Sequence, residues 1–229
     1  MRKPKIDVVI PAFNEERSIG KVIADIPKDL VAEIVVANNN SSDATKEVAQ
    51  TAGATVVDET RPGYGFACLK GIDYLKAKGN TDILVFLDGD YSDYPEQLPD
   101  VVEPILRGEA DLVIGSRALG QKESGSMTFP QVFGNWLATN LIRLFYKLKF
   151  TDLGPFRAIR FDKLIALDMK DQTYGWTVEM QVKAAKHKLN CLEVPVNYKK
   201  RIGVSKVSGT IRGTVLAGYK ILFTIFKYL

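Results

Sequence analysis

"TDILVFLDGD", Thr81 to Asp90, is the stretch that decides the fold. Its centre, Ile83-Leu84-Val85-Phe86-Leu87, is an unbroken apolar run. A strand covered on both faces reads this way, whereas a half-exposed strand alternates. The run ends directly in Asp88, Gly89 and Asp90, with Asp93 three residues further on. Charge is costly in an apolar core, so these acids mark the point where the strand meets water. Two readings of that point stand: an ordinary Asp-Gly turn, or a ligand site at a strand's carboxyl end.

The neighbouring sequence repeats the pattern. "IDVVIP" (6–11), "AEIVVAN" (32–38), "ATVVDE" (54–59) and "ADLVIGSR" (110–117) read as further strands. Between them lie helical stretches: Ile19, Val22, Ile23 and Ile26 share one face, a Ser/Asp cap signal precedes a helix stopped by Gly53, and a glycine loop opens a helix stopped by Gly79. Strands alternating with helices predict an α/β fold, a mostly parallel sheet with helices on both faces. Ligands of such sheets bind beyond the carboxyl ends of the strands. Asn14-Glu15, Asn38-Asn39, Asp88-Asp90 and Ser116-Arg117 all fall there, and a turn alone explains only one of the four.

The second half predicts an amphipathic helix over 130–149, a turn and strand over 151–160, a helix over 176–188, a strand over 191–198 and a last amphipathic helix over 213–229. No linker is visible. The expected division is a catalytic domain over 1–210 and a C-terminal, membrane-facing helix over 211–229.

Composition narrows the chemistry. The chain has 229 residues, 46% hydrophobic and 25% charged, with a net charge of +4, enough for one large core. Cys68 and Cys191 have neither disulfide nor zinc spacing and read as small buried side chains. The single histidine, His187, sits between two lysines and reads as surface, so acid–base work falls to carboxylates. The N-terminus carries no signal-peptide pattern, and no apolar run is long enough to span a membrane. Glu123 is the last acid before Asp152, and none follows Glu193. The two acid-free segments are basic and rich in aromatics, which points to a negatively charged partner, and their apolar content favours an anionic membrane surface over nucleic acid.

Asp88 and Asp90 are hard oxygen ligands two residues apart, on one side of an extended backbone. They suit Mg²⁺ or Mn²⁺ bound together with a diphosphate. Arg61-Pro-Gly-Tyr-Gly65 opens a helix and either cradles phosphate there or is a plain turn. The loop holding Arg201, Ser205 and Lys206 either clamps phosphate or is a solvated basic face. The last helix either packs on the domain or lies on a membrane.

"VVIPAFNEERSI", "VVANNNSSDAT", "LVFLDGDYSDYPEQLPDVV" and "LVIGSR", followed by "DLGPFRAIR", "YGWTVEMQVKA" and "EVPVNYKKRIGVSKVSG", occur in the order seen in glycosyltransferase family 2. The chain resembles its branch of polyprenyl-phosphate (dolichyl-type) mannose and glucose synthases, over about its whole length. The resemblance implies a nucleotide-diphospho-sugar transferase (GT-A type) fold. It implies that Pro11, Ala12, Asn14, Glu15, Asn39, Gly65, Asp88 and Gly89 contact the nucleotide-sugar, and that Asp88 and Asp90 belong to the metal and diphosphate motif. Arg117, Arg201, Ser205 and Lys206 become the acceptor-phosphate clamp, and Glu179 and Gln181 come near the reaction centre. The reaction implied is an inverting hexose transfer to a lipid phosphate, with the enzyme peripheral to the cytoplasmic face of a membrane or held there by a membrane-protein partner.

The sequence departs from its relatives in three places. Asn38-Asn39-Asn40 replaces Asp-Asp-Gly, which leans toward a UDP-sugar over a GDP-sugar. Ser92, beside Asp93, stands at the position of a third metal ligand. Gln131 stands where relatives carry a second phosphate-binding arginine. Two other readings remain: a sugar or protein hydroxyl acceptor, with Glu179 or Asp152 as general base, and a non-catalytic membrane-surface module. A nucleotidyltransferase would need a glycine-rich phosphate loop after the first strand, which "PAFNEERS" is not.

Overall fold

Alternation along each strand divides the core in two. In the computed structural model, which describes residues 3–203 and 211–229, β1 (Ile6–Ala12) sends Val8 and Ile10 to one cluster and Val9 to the other. β2 (Glu33–Asn38) splits Ile34 and Val36 from Val35, and β4 (Ile83–Phe86) splits Ile83 and Val85 from Leu84 and Phe86. Successive residues of a strand face opposite sides, so an all-apolar strand needs cover on both.

One cover is α1 (Ile19–Asp25), α2 (Thr45–Thr51) and α4 (Leu98–Leu106). The other is α3 (Tyr64–Lys78), α5 (Phe129–Tyr146), α6 (Phe161–Leu167), α7 (Trp176–Lys186) and α8 (Ile211–Lys227). With β3 (Thr55–Asp58), β5 (Leu112–Ser116), β6 (Arg157–Arg160) and β7 (Cys191–Pro195), the sheet has seven strands in the order β3-β2-β1-β4-β6-β5-β7.

All strands run parallel except β6, which lies antiparallel between β4 and β5. The stretch read as turn plus strand thus becomes a central strand. The short helix α6, which follows it without a break, was not among the expected elements.

The last helix is no appendage. α8 buries Ile225 in the second cluster. Phe226 meets Phe145 of α5 edge to face at 5.5 Å, and Tyr146 donates to the Ile225 carbonyl. Lys186 of α7 donates to the Tyr228 carbonyl at 2.7 Å. The helix therefore packs on the domain, while its other face stays exposed. Both cysteines are free, and His187 is exposed.

Candidate active site

β1, β2, β4 and β5 end on one edge of the sheet, and a cleft of about 670 Å³ opens over that edge. Pro11, Ala12 and Glu15 line it from β1, Asn39 from β2, Asp88, Gly89 and Asp90 from β4, and Arg117 from β5; Arg201 closes the rim. Asp88 to Asp90 lie beyond the last residue of β4 in a turn. The two carboxylates meet through that turn, and not through strand alternation as the sequence suggested.

Tyr64 donates its hydroxyl to Asp88 Oδ1 at 3.0 Å. Burial, and after it the neighbouring Asp90 charge, pushes the Asp88 carboxyl up to about 6. Asp90 Oδ1 accepts from the Ser92 N–H at 3.0 Å and from the Ser92 hydroxyl. Asp90 Oδ2 pairs with Arg201 Nη1 at 2.7 Å. Behind them Asp93 is 2% exposed, and neither of its carboxylate oxygens has a hydrogen-bond partner among the described residues. Burial, with the charges of Asp88 and Asp90, pushes it well above the usual carboxylate range.

On the far side Arg117 forms a two-pronged pair with Asp152, Nε to Oδ2 at 2.8 Å and Nη2 to Oδ1 at 2.7 Å. Its backbone N–H donates to the same carboxylate at 2.8 Å, and its guanidinium lies over the Tyr198 ring at 5.0 Å. Burial opposes ionisation of Asp152, but the Arg117 charge and these bonds outweigh it and hold the carboxyl below the usual range. Glu193 of β7 fixes the turn from behind, accepting the Thr151 N–H at 2.9 Å and the Asp152 N–H at 3.1 Å.

The donor set fits a hard divalent cation. Two carboxylates face the cleft, one of them lifted by burial and then by its neighbour's charge, and a cation would offset both. Among the described residues no three His, Cys, Asp or Glu side chains are placed to hold one metal ion by themselves. A protein contribution of one or two carboxylates, completed by substrate phosphates and water, is the Mg²⁺ pattern.

The Glycosyl transferase family 2 model matches residues 7–167. The chain belongs to glycosyl transferase family 2. An uncharacterized glycosyltransferase of Mycobacterium tuberculosis is 36% identical over 215 residues, 93% of this chain and 94% of its own length. An undecaprenyl-phosphate mannosyltransferase of Micrococcus luteus is 31% identical over 222 residues, 91% and 90% of the two chains. Among solved structures, a glucosyl-3-phosphoglycerate synthase from M. tuberculosis, in complex with Mn²⁺ and UDP-glucose, superposes with a TM-score of 0.73. The match covers 98% of this chain and 79% of that one at 26% identity. The fold is of the GT-A type, and the protein is a glycosyltransferase.

Not every residue singled out in the sequence reaches this glycosyltransferase's cleft. Glu179 sits on α7 away from it, fully buried. Its carboxylate accepts the N–H groups of Lys170 and Asp171 at 3.0 and 2.7 Å and the Tyr228 hydroxyl at 2.6 Å, and pairs with Lys183 at 2.8 Å. These donors saturate it, so it is a brace between the 170–171 turn and α8 and not a base at the reaction centre. Gln181 is likewise buried and holds the Asp152 carbonyl at 2.8 Å. Asp152, committed to Arg117, is too weak a base to replace Glu179.

Gly65 lies outside the cleft, where a Cβ would come within 2.1 Å of the Asp171 carbonyl oxygen. The Phe66 N–H, beside it, already donates to the Gln172 carbonyl at 3.1 Å. Gly65 therefore serves close packing of α3 on the 171–172 backbone and not a phosphate. Asn14 turns its side chain to the Ser42 N–H at 2.8 Å and does not line the cleft. Asn39 does, but its amide nitrogen donates to the carbonyls of Glu59 and Arg61, and its oxygen accepts the Gly63 N–H at 2.8 Å. Gln131 lines the cleft and caps α5 through Thr128. Ser205 and Lys206 lie outside the described residues.

Sequence reading missed Tyr64, Tyr198 and Arg157. The last is fully buried on β6, where it holds the carbonyls of Leu153 and Gly154 and, at 3.0 Å, that of Thr177. An arginine at the start of a short strand, "RAIR", gives no local sign of such a role.

Proposed function

We propose that the enzyme transfers a hexose, with inversion, from a UDP-sugar to a polyprenyl (dolichyl-type) phosphate at the cytoplasmic face of a membrane, with Mg²⁺ or Mn²⁺. One observation carries this reading. The cleft that begins at Asp88 and Asp90 continues between α5 and α8, past Met127, Pro130, Leu153 and Ile221, so its polar head leads into an apolar groove. The outer faces of the same two helices carry exposed aromatics, Phe129 at 80%, Trp136 at 58% and Tyr219 at 66%, as a membrane-surface element does. No helix among the described residues is long and apolar enough to cross a membrane, so attachment would be peripheral or through a membrane-protein partner. Nucleic acid is not called for.

Asp88 and Asp90 would hold the divalent ion, which neutralises charge on the departing diphosphate. A phosphate monoester is already anionic near neutral pH, so no side chain has to remove a proton from the nucleophile. That agrees with a cleft whose carboxylates are already engaged, Asp88 by Tyr64, Asp90 by Ser92 and Arg201, and Glu15 by Ser18. Arg201 and Arg117 supply fixed positive charge on two sides and orient the acceptor phosphate for in-line attack at the anomeric carbon.

Asn39 supports uracil. Both of its amide hydrogens go to backbone carbonyls and one oxygen lone pair to Gly63, which leaves one acceptor site. The single N–H of a uracil edge matches it better than the paired donors of guanine.

The test is incubation with Mn²⁺, polyprenyl phosphate in detergent, and UDP- or GDP-sugars, followed by mass spectrometry of the lipid fraction. A hexosyl phospholipid formed from the UDP-sugar is expected. Transfer to a soluble hydroxyl or phosphorylated acceptor, with none to lipid, would replace the acceptor assignment.

A further inference from the structure

Two glycines in the cleft have no explanation in the fold. Gly134 lies in the middle of α5 and Gly218 in the middle of α8, and both line the groove between these helices. Glycine is among the costliest residues in a helix interior. It is normally kept there where a positive φ is needed or another group approaches closely. Neither holds: neither residue has a positive φ, and a Cβ built at either position meets nothing within 4 Å. Other glycines of the chain answer to packing. A Cβ at Gly71 would meet Val9 at 2.6 Å, and one at Gly175 would meet Asp171 and Thr224 at 2.5 Å.

The open space is on one face of each helix. α8 presents Thr214, Ala217, Gly218 and Ile221, one helical stripe, and α5 presents Pro130, Gln131, Gly134 and Asn135. The helices touch through Phe145, Tyr146, Ile225 and Phe226 at their C-terminal ends and leave the groove at their N-terminal halves, next to the acids. An independent observation lies in the same cleft. Trp176 lines it and is 1% exposed, yet its indole N–H has no acceptor among the described residues. A buried donor left unpaired is destabilising, so it points to an acceptor atom that a ligand brings.

We infer that Gly134 and Gly218 set the width of an acceptor-chain subsite. The first isoprene units of the polyprenyl phosphate lie between α5 and α8, their methyl branches over the two glycines, with the phosphate ester toward Trp176 and the arginines. The inference rests on the lipid-phosphate reading above and assigns the residues that select the chain. Side chains at these positions would fill the groove without touching Asp88, Asp90 or the nucleotide end of the cleft.

The test compares Gly134→Leu and Gly218→Leu with Val132→Leu and Val215→Leu, which change outward positions of the same helices. One readout is the ratio of kcat/KM for a long polyprenyl phosphate to that for a five-carbon prenyl phosphate. The other is photo-crosslinking of a benzophenone-bearing isoprenoid phosphate, mapped by peptide mass spectrometry, which needs no turnover. The glycine variants should lower the ratio at least tenfold and the valine variants should leave it unchanged. Label should appear on peptides covering residues 127–135 and 214–221. An unchanged ratio in both glycine variants, or label confined to other peptides, overturns the subsite. Label on these two peptides from an enzyme that glycosylates no prenyl phosphate upholds the subsite and removes the proposed reaction instead.

Discussion

Arg201 Nη1 lies 2.7 Å from Asp90 Oδ2, and the other oxygen of that carboxylate is taken by Ser92. One oxygen of Asp90 is therefore already paired with a cation of the protein itself. A divalent ion at Asp90 has to compete with the guanidinium. Arg201→Ala should bind Mn²⁺ more tightly in the absence of nucleotide, by on the order of tenfold, which corresponds to about 1.4 kcal/mol. It should also lose transfer activity by roughly a hundredfold or more, since a charge aimed at the phosphates is gone. Manganese paramagnetic resonance titration reads the first effect and initial rates the second. Weaker Mn²⁺ binding would mean that Arg201 supports the ion and does not compete with it.

Removing either acid should stop the reaction without unfolding the protein. Asp88→Asn and Asp90→Ala should each reduce turnover by on the order of 10³-fold. Thermal unfolding of Asp88→Asn should match or exceed the parent's, because a buried charge beside Asp90 is gone, whereas Asp90→Ala should lose some stability with its Arg201 and Ser92 contacts and still fold. Wild-type rates with unchanged metal dependence in either variant would remove that residue from the metal site.

Glu179 gives a sharper contrast. As a base it would be indispensable. As the buried acceptor of two backbone N–H groups, a lysine and Tyr228, it holds the 170–171 turn and α8 in place. Glu179→Gln should therefore destabilise the fold by about 3–5 kcal/mol, the range for breaking a buried charge pair, while kcat for a soluble prenyl phosphate stays within a few-fold at a temperature where the variant is folded. Chemical denaturation and rate measurements on one preparation separate the two roles.

Acid should weaken the protein through Glu59. Its bond to Arg61 pulls the carboxyl down to about 2. A carboxyl depressed in the folded state contributes stability that is complete above its unfolded value, near 4.5, and is lost as the pH falls toward 2. Unfolding midpoints of the parent should drop across that window, and Glu59→Gln should flatten the drop. An identical acid limb in both proteins would assign the loss to other groups, with Asp152 the next candidate.

Much of this was legible in the sequence where the physics is local. An all-apolar strand can only be central, and polar residues directly behind four such strands can only meet at one sheet edge, so Asp88, Asp90, Asn39 and Arg117 were found. The role of a side chain inside its network was not legible. Glu179 follows a helix start like any first-turn acid, and nothing nearby reveals that Lys170 and Tyr228, nine and 49 residues away, saturate it. Gly65 looked like a phosphate loop because glycine's local meaning is only that something comes close; here that is the Asp171 carbonyl, over a hundred residues later. β6 read only as a turn and strand over 151–160, because its antiparallel place depends on β4 and β5, two partners far away in the sequence.

That antiparallel strand has a metrical effect. Because β6 is interposed, β4 and β5 are not neighbours, and their exits stand two strand spacings apart, roughly 9–10 Å. The acids past β4 and the Arg117–Asp152 pair past β5 thus occupy opposite banks of a gap whose breadth is set by backbone hydrogen bonds, not by side chains. Substitutions along either bank can alter what is bound there, but the span that donor and acceptor together must bridge is a constant of the sheet.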